Sequence, residues 1–237
     1  MDSPTDRTAA SLTIRDLRRR WKPLKEGDAS GDRHKPVRVR LHRCWSWMQR
    51  IEELDDAGVG IDDARLIYGW IALNSLYGRW DAQAREPIGD KPALDAFQRR
   101  LFDRDESELF RTLLTEQRDL VKSIVGDEYL SRYFWKDPGE DETRRAQNAA
   151  RKIASWYVEG RHASVLDLTL QRVYLARCQL VHGAATYNSG LNRTAVQRCA
   201  EFLGMFLRCA SVVIIDHAWR DDWGDLCYPP IDARQGG

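Results

Sequence analysis

The stretch that decides the fold is SVLDLTLQRVYLARCQLVHG, Ser164–Gly183. Leu166, Leu170, Val173, Tyr174 and Val181 recur at spacings that bring them onto one face of a helix, not at the alternation a strand requires. Ser164 with Asp167 three residues on predicts a capping box at its start, and Gly183 predicts its end. Near that end stand Arg177 and His182, with four residues between them.

Reading outward, almost every periodic segment is helical. TIRDLRRRWKPL begins a short helix that Pro23 should end. KEGDASGDRHKP is a polar loop, and a more ordered region is expected from Pro36. Leu41, Cys44, Trp45, Met48, Ile51 and Leu54 mark an amphipathic helix closed by DDAGVG. DDARLIYGWIALNSLYGRW is apolar on most faces from Leu66 to Tyr77, which predicts a central helix, with Asp62 and Asp63 suiting its positive pole. Asn74 is the one strongly polar residue deep in that run.

KPALDAFQRRLFDR and DESELFRTLLTEQRDLVKSIV predict two more helices. A turn at KDPGED leads to a polar helix ended by Gly160. After the loop GAATYNSG, the chain from about Asn192 to His217 predicts a buried helix in which Gly204, Ala210 and Ser211 would let a neighbour approach. There is no internal repeat and no strand series, so the expected fold class is all-α. The expected organisation is a basic N-terminal arm over 1–35, a helical domain over 36–226 and a tail over 227–237, irregular because Pro229 and Pro230 stop any helix.

The composition agrees with a globular chain, 43% hydrophobic and 31% charged over 237 residues. No run approaches the ~20 apolar residues of a membrane helix, and MDSPTDRTAASLTIRDLRRRW has no apolar core of a secretion signal. Both features lead us to expect a cytoplasmic protein that does not enter a membrane. Cys44, Cys178, Cys199, Cys209 and Cys227 are odd in number and widely spaced, which predicts reduced thiols rather than disulfides or a zinc knuckle. Asn192-Arg193-Thr194 matches a glycosylation sequon, to which nothing else in the sequence gives meaning.

Charge is unevenly spread. Residues 1–43 hold twelve basic and six acidic side chains, whereas the whole chain has a net charge of only +1. Such an arm, with Arg18, Arg19, Arg20 and Lys22 at its centre, could meet phosphate backbones; more often a run of this kind is a solvated face.

Phosphate-loop, dinucleotide-binding and nucleophile-elbow motifs are absent, as is the His-Glu-x-x-His zinc pair. His34, His42, His162, His182 and His217 share no metal-ligand spacing, so no metal and no cofactor is expected. Trp45, Trp47, Trp70 and Trp156 lie at helical spacing with apolar neighbours, which predicts core rather than a base-stacking platform.

Arg177 and His182 could together cleave RNA without a metal. The ribose 2′-OH attacks the adjacent phosphorus while a histidine moves protons, and a guanidinium holds the charge gathering on the phosphorane. The products would be a 2′,3′-cyclic phosphate and a 5′-OH. Five positions apart on a helix, however, leave the two side chains about 140° apart around its axis. Two copies facing one another would remove that difficulty. Read as ordinary structure, the same residues suit a helix C-terminus, whose dipole favours cations.

YLARCQLVHGAATYNSGLNR resembles the signature of the HEPN superfamily, an Arg-x4–6-His motif near a helix end followed by a loop and a last helix. WIALNSLYGRW is similar to an early helix of bacterial Apea-like HEPN proteins. LRRRWKPLKE, HRCWSWMQRIEELDD and DWGDLCYPP resemble parts of one uncharacterised bacterial group with that domain. The resemblance implies an up-and-down helical bundle that forms a homodimer, with Arg177 and His182 meeting in a shared cleft. It also implies a metal-independent endoribonuclease acting in toxin–antitoxin, phage-defence or RNA-processing systems, for which an antitoxin or other protein is a candidate partner.

In one position the chain departs from the family. Cys178 follows the arginine where active members commonly carry Asn, Asp or His, and a thiol holds phosphate less well. Asn74 could supply that contact, or could be a buried amide bonded to a neighbouring helix. The alternative expectation is therefore a non-catalytic module that binds RNA, a nucleotide or a protein through the same pocket or the basic arm.

Overall fold

A computed structural model describes residues 8–56, 62–131, 134, 139–184, 190 and 192–230. The N-terminal end of the arm and parts of DDAGVG, KDPGED, GAATYNSG and the C-terminal tail lie outside the described residues. Among the described residues the chain is all-α: nine helices and one hairpin of two-residue strands. The helices are α1 (Ile14–Glu26), α2 (Lys35–Asp56), α3 (Asp62–Tyr77), α4 (Asp90–Asp103), α5 (Leu109–Glu116), α6 (Arg118–Val125), α7 (Glu140–Val158), α8 (His162–Val181) and α9 (Arg193–Val213).

The central helix is α3, as its nearly all-round apolarity predicts, and it packs against α2, α8 and α9. Its closest approach falls at Gly69, where an added Cβ would stand 3.0 Å from Leu203 Cδ2 on α9. The expected close contact at Gly204 is instead within α9, against the Arg208 side chain. Asp63 at the head of α3 forms a two-bond ion pair with Arg193 at the head of α9, 2.9 and 3.0 Å. Deep in the bundle Trp45 Nε1 donates to Ser211 Oγ at 3.0 Å, so the indole brings no unpaired donor into the core.

Four expectations about local structure are corrected. The helix of the basic segment does not stop at Pro23 but runs to Glu26. Pro23 removes only one donor on an exposed face; Leu24 packs on the core, and the Gly27 and Ala29 N–H groups close onto the Pro23 and Leu24 carbonyls.

Secondly, α8 begins at His162, so Ser164 lies inside it and caps nothing; Asp167 instead accepts from Gln171. The cause is a tight corner. Gly160 takes φ +70° and ends α7 as expected, with the Arg161 N–H returning to the Trp156 carbonyl, so α8 starts at once.

Thirdly, the long helix expected after Glu108 is two, broken at Gln117. The buried stripe Phe110, Leu113, Leu114, Val121, Ile124 and Val125 would place Gln117 on the core face of a continuous helix, and the break spares the core that amide. Fourthly, Asn74 is exposed and so is not the buried amide, one of the two expectations for it, because the buried stripe of Leu66, Trp70, Leu73 and Tyr77 continues past it on another side of α3.

Residues 1–35 do not form a free arm throughout. Ile14, Leu17 and Trp21 of α1 belong to the same core as α2 to α9, and that core continues to Trp219 and Trp223. A capping box does occur at the start of α1, between Thr13 and Asp16, where none was expected.

The segment after α9 is held by buried Arg40. Its guanidinium donates to the Leu76 and Gly78 carbonyls at the end of α3 and to those of Trp223, Gly224 and Asp225. Burial lowers its pKa to about 10, still far above neutrality, so it remains charged.

Burial also decides thiol chemistry. Cys44, Cys199 and Cys209 are buried, and that burial pushes all three thiols up, Cys209 to about 12. Labelling with a maleimide at pH 7.5 should therefore modify at most Cys178 and Cys227 in the native protein and all five after denaturation. Rapid labelling of a third thiol, read by mass spectrometry, would contradict the packing.

Candidate functional site

The end of α8 is an ordinary helix stop in its backbone. Gly183 takes φ +69°, its N–H bonds the Leu180 carbonyl, and the Ala184 N–H bonds the Gln179 carbonyl, the paired closure that a glycine permits. Buried Gln179 anchors this end from inside: it donates to the Tyr129 carbonyl and accepts from Asn192 Nδ2 at 3.0 Å. Asn192, the sequon asparagine, is thus committed to the core at 5% exposure and has no room for a sugar.

On this anchored end the two motif residues meet different surroundings. His182 is exposed, and its imidazole bonds to no other described residue. Arg177, one turn earlier, is largely covered, at 20% side-chain exposure. Its guanidinium carbon lies 5.7 Å from the Trp70 ring centre and 5.9 Å from that of Tyr174, two rings that are themselves 5.5 Å apart, so the cation lies against one side of an aromatic pair. Nη2 is 3.9 Å from Asp90 Oδ2, and Nη1 reaches Cys178 Sγ at 3.8 Å. Its Nε is buried without a hydrogen-bond partner.

Asp90 opens α4, where the helix dipole favours a carboxylate, and it accepts from Tyr77 Oη at 3.1 Å. Burial first, and then the Asp90 charge, raise the Tyr77 phenol well above its usual range, so it stays a donor. The Tyr174 phenol is raised too, first by its hydrogen bond with Cys178 and then by burial.

The structure therefore places Arg177 and Cys178 in one contact cluster with Trp70, Tyr174 and Asp90, and His182 makes no contact to it among the described hydrogen bonds and ion pairs. Asn74 stands four residues after Trp70 and three before Tyr77, on the neighbouring edge of α3, with its side chain exposed and unbonded among the described residues. Arg18 and Arg19 are exposed on α1, Arg20 forms a two-bond pair with Asp216, and Lys22 lies 4.0 Å from Glu26. His217 faces Ser107 and Glu106, and no group of three metal-ligating side chains occurs among the described residues. Sequence reasoning missed Trp70, Tyr77, Asp90 and Tyr174. Trp70 and Tyr174 were legible only as core positions, and nothing linked the Asp90 of GDKP to a helix 87 residues on.

Asp90 stands where an oxyanion would approach Arg177. Asp90→Asn should consequently raise the affinity for inorganic phosphate or RNA, by roughly two- to fivefold for a partly exposed pair 3.9 Å apart. Unchanged or weaker binding in titration calorimetry would show that the carboxylate does not compete with the anion.

The described fold and the Arg177 cluster define an all-α helical bundle with a cationic group held at one helix end. Comparisons with protein-family models, with curated proteins and with solved structures gave no match to the chain.

Proposed function

We propose that the chain is a metal-independent endoribonuclease of the HEPN type, working as a homodimer. The observation that supports this most is the division of labour at the end of α8: an arginine buttressed by Trp70, Tyr174 and Asp90, and five residues on an exposed histidine that bonds to no other described residue. Arg177 would hold the non-bridging oxygens of the scissile phosphate through charge-assisted hydrogen bonds. His182, without a partner among the described residues, would move protons between the 2′-OH, the 5′-oxygen and solvent. Residues five apart on an ideal helix point about 140° from one another, so each complete site would combine Arg177 of one copy with His182 of another.

Mixing two inactive variants tests this arrangement. Arg177→Ala and His182→Ala chains, unfolded and refolded together, should recover about a quarter of wild-type cleavage, since half of the dimers are mixed and each holds one complete site. No recovery from a mixture that demonstrably exchanges subunits would reject the shared site.

One observation favours a second reading. Asp90 partly neutralises Arg177 and Cys178 occupies one of its nitrogens, which suits a non-catalytic module whose partner supplies its own contacts. Such a module would bind RNA, nucleotide or protein without cleavage, and an antitoxin-like partner would then bind this face rather than restrain an enzyme.

A further inference from the structure

The exposed side of α1 carries charge that the bundle does not use. Arg15, Arg18, Arg19, Lys22 and Lys25 are all exposed. At 100° per residue they fall within an arc of about 120° and extend about 15 Å along the axis. Arg15, Arg18, Arg19 and Lys25 make no ion pair or hydrogen bond among the described residues, and Lys22 has only Glu26, at 4.0 Å. Arg20 is turned away from this stripe into its pair with Asp216. Unlike the side chains of a disordered arm, these five are fixed in register, because Ile14, Leu17 and Trp21 dock the helix into the core.

We propose that α1 is a rigid docking ridge for an RNA backbone, separate from the Arg177–His182 end. Two sequence-spaced features select the partner. Three of the five cations are arginines, whose planar donors suit phosphate oxygens. The apolar face of α1 is already buried in the protein, so the helix has nothing to insert into a bilayer, as an interfacial helix must.

The place of α1 sets the class of RNA. Arg20 bonds Asp216 just beyond the last turn of α9, whereas Gln179 of the candidate site bonds Asn192 just before its first. Twenty-one residues of α9 separate them, about 30 Å. An RNA that touches both must have roughly nine or more stacked nucleotides at 3.4 Å each. The ridge rests on the reading of this protein as one that acts on RNA, and it directs that reading toward long substrates rather than short oligonucleotides.

The test is fluorescence anisotropy of a labelled single-stranded RNA 20-mer between 0.05 and about 0.5 M salt, a range over which phosphate contacts change affinity by orders of magnitude. The variant Arg15→Gln/Arg18→Gln/Lys22→Gln keeps the buried face of α1 and helix-compatible side chains, and its fold is checked by thermal melting. Its salt slope should fall by about 2, and its affinity by roughly a hundredfold at 0.1 M salt, converging on wild type near 1 M. Removing three charges from α7 in Arg144→Gln/Arg151→Gln/Lys152→Gln should leave the slope near that of wild type. An unchanged slope in the α1 variant, an equal fall in the α7 variant, or α1-dependent binding to phosphatidylserine vesicles in place of RNA would each overturn the ridge. A protein that binds RNA through α1 yet never cleaves it rejects the nuclease and keeps the ridge. One that cleaves with an unchanged slope does the reverse.

Discussion

Arg40→Met should lower the melting temperature by about 10 °C, corresponding to a loss of about 3–5 kcal/mol, the largest effect expected of any single substitution on the bundle. Methionine fills much of the same space but donates nothing. The carbonyls of Leu76, Gly78, Trp223, Gly224 and Asp225 would lose their shared donor in a site where Arg40 itself is only 2% exposed. Buried acceptors without partners cost about 1–3 kcal/mol each; the Asp225 carbonyl keeps the Trp80 N–H, and rearrangement of the chain after Trp219 would recover part of the rest. Arg40→Lys should fall between the two, since an ammonium has three donors and cannot span both carbonyl groups. A melting temperature within about 2 °C of wild type for Arg40→Met would mean that water replaces the guanidinium and that the C-terminal segment needs no anchor.

The second large effect is on activity with the fold left intact. His182→Ala should reduce RNA cleavage by at least about a hundredfold, the usual range for loss of a proton-transfer group. Stability should hardly change, because the side chain is exposed and unbonded among the described residues. Arg177→Ala should be comparably inactive but measurably less stable, since it also removes a cation from against the Trp70 and Tyr174 rings and leaves Asp90 without its nearby charge. The contrast between the two variants separates catalysis from packing.

Most of the fold was legible because helical periodicity is strong in this chain. α2, α3, α7 and α9 follow from the spacing of Leu41 to Leu54, the all-round apolarity of Leu66 to Tyr77, the stop at Gly160 and the apolar run after Phe202. What was not legible depended on tertiary contacts. Pro23 reads as a terminator until Leu24 and Ala29 are seen to pack beyond it. Gln117 breaks a helix only because its neighbours are buried on one side. The sequence pattern left Asn74 either in the core or at the site, and the α3 stripe passes it by and leaves it exposed. At the candidate site the same division holds. Arg177 and His182 stand out by type and spacing, but the partners of Arg177 come from α3 and the head of α4. No local pattern connects Asp90 to Arg177, and Arg40 resembles any other arginine in a basic stretch.

The most direct test of the central claim is incubation of the purified protein with labelled total RNA and tRNA in excess EDTA, beside His182→Ala. The proposed nuclease predicts cleavage by the wild type alone, leaving 2′,3′-cyclic phosphate and 5′-OH ends. Intact RNA after incubation with a folded, dimeric wild-type protein, or equal cleavage by His182→Ala, would contradict it.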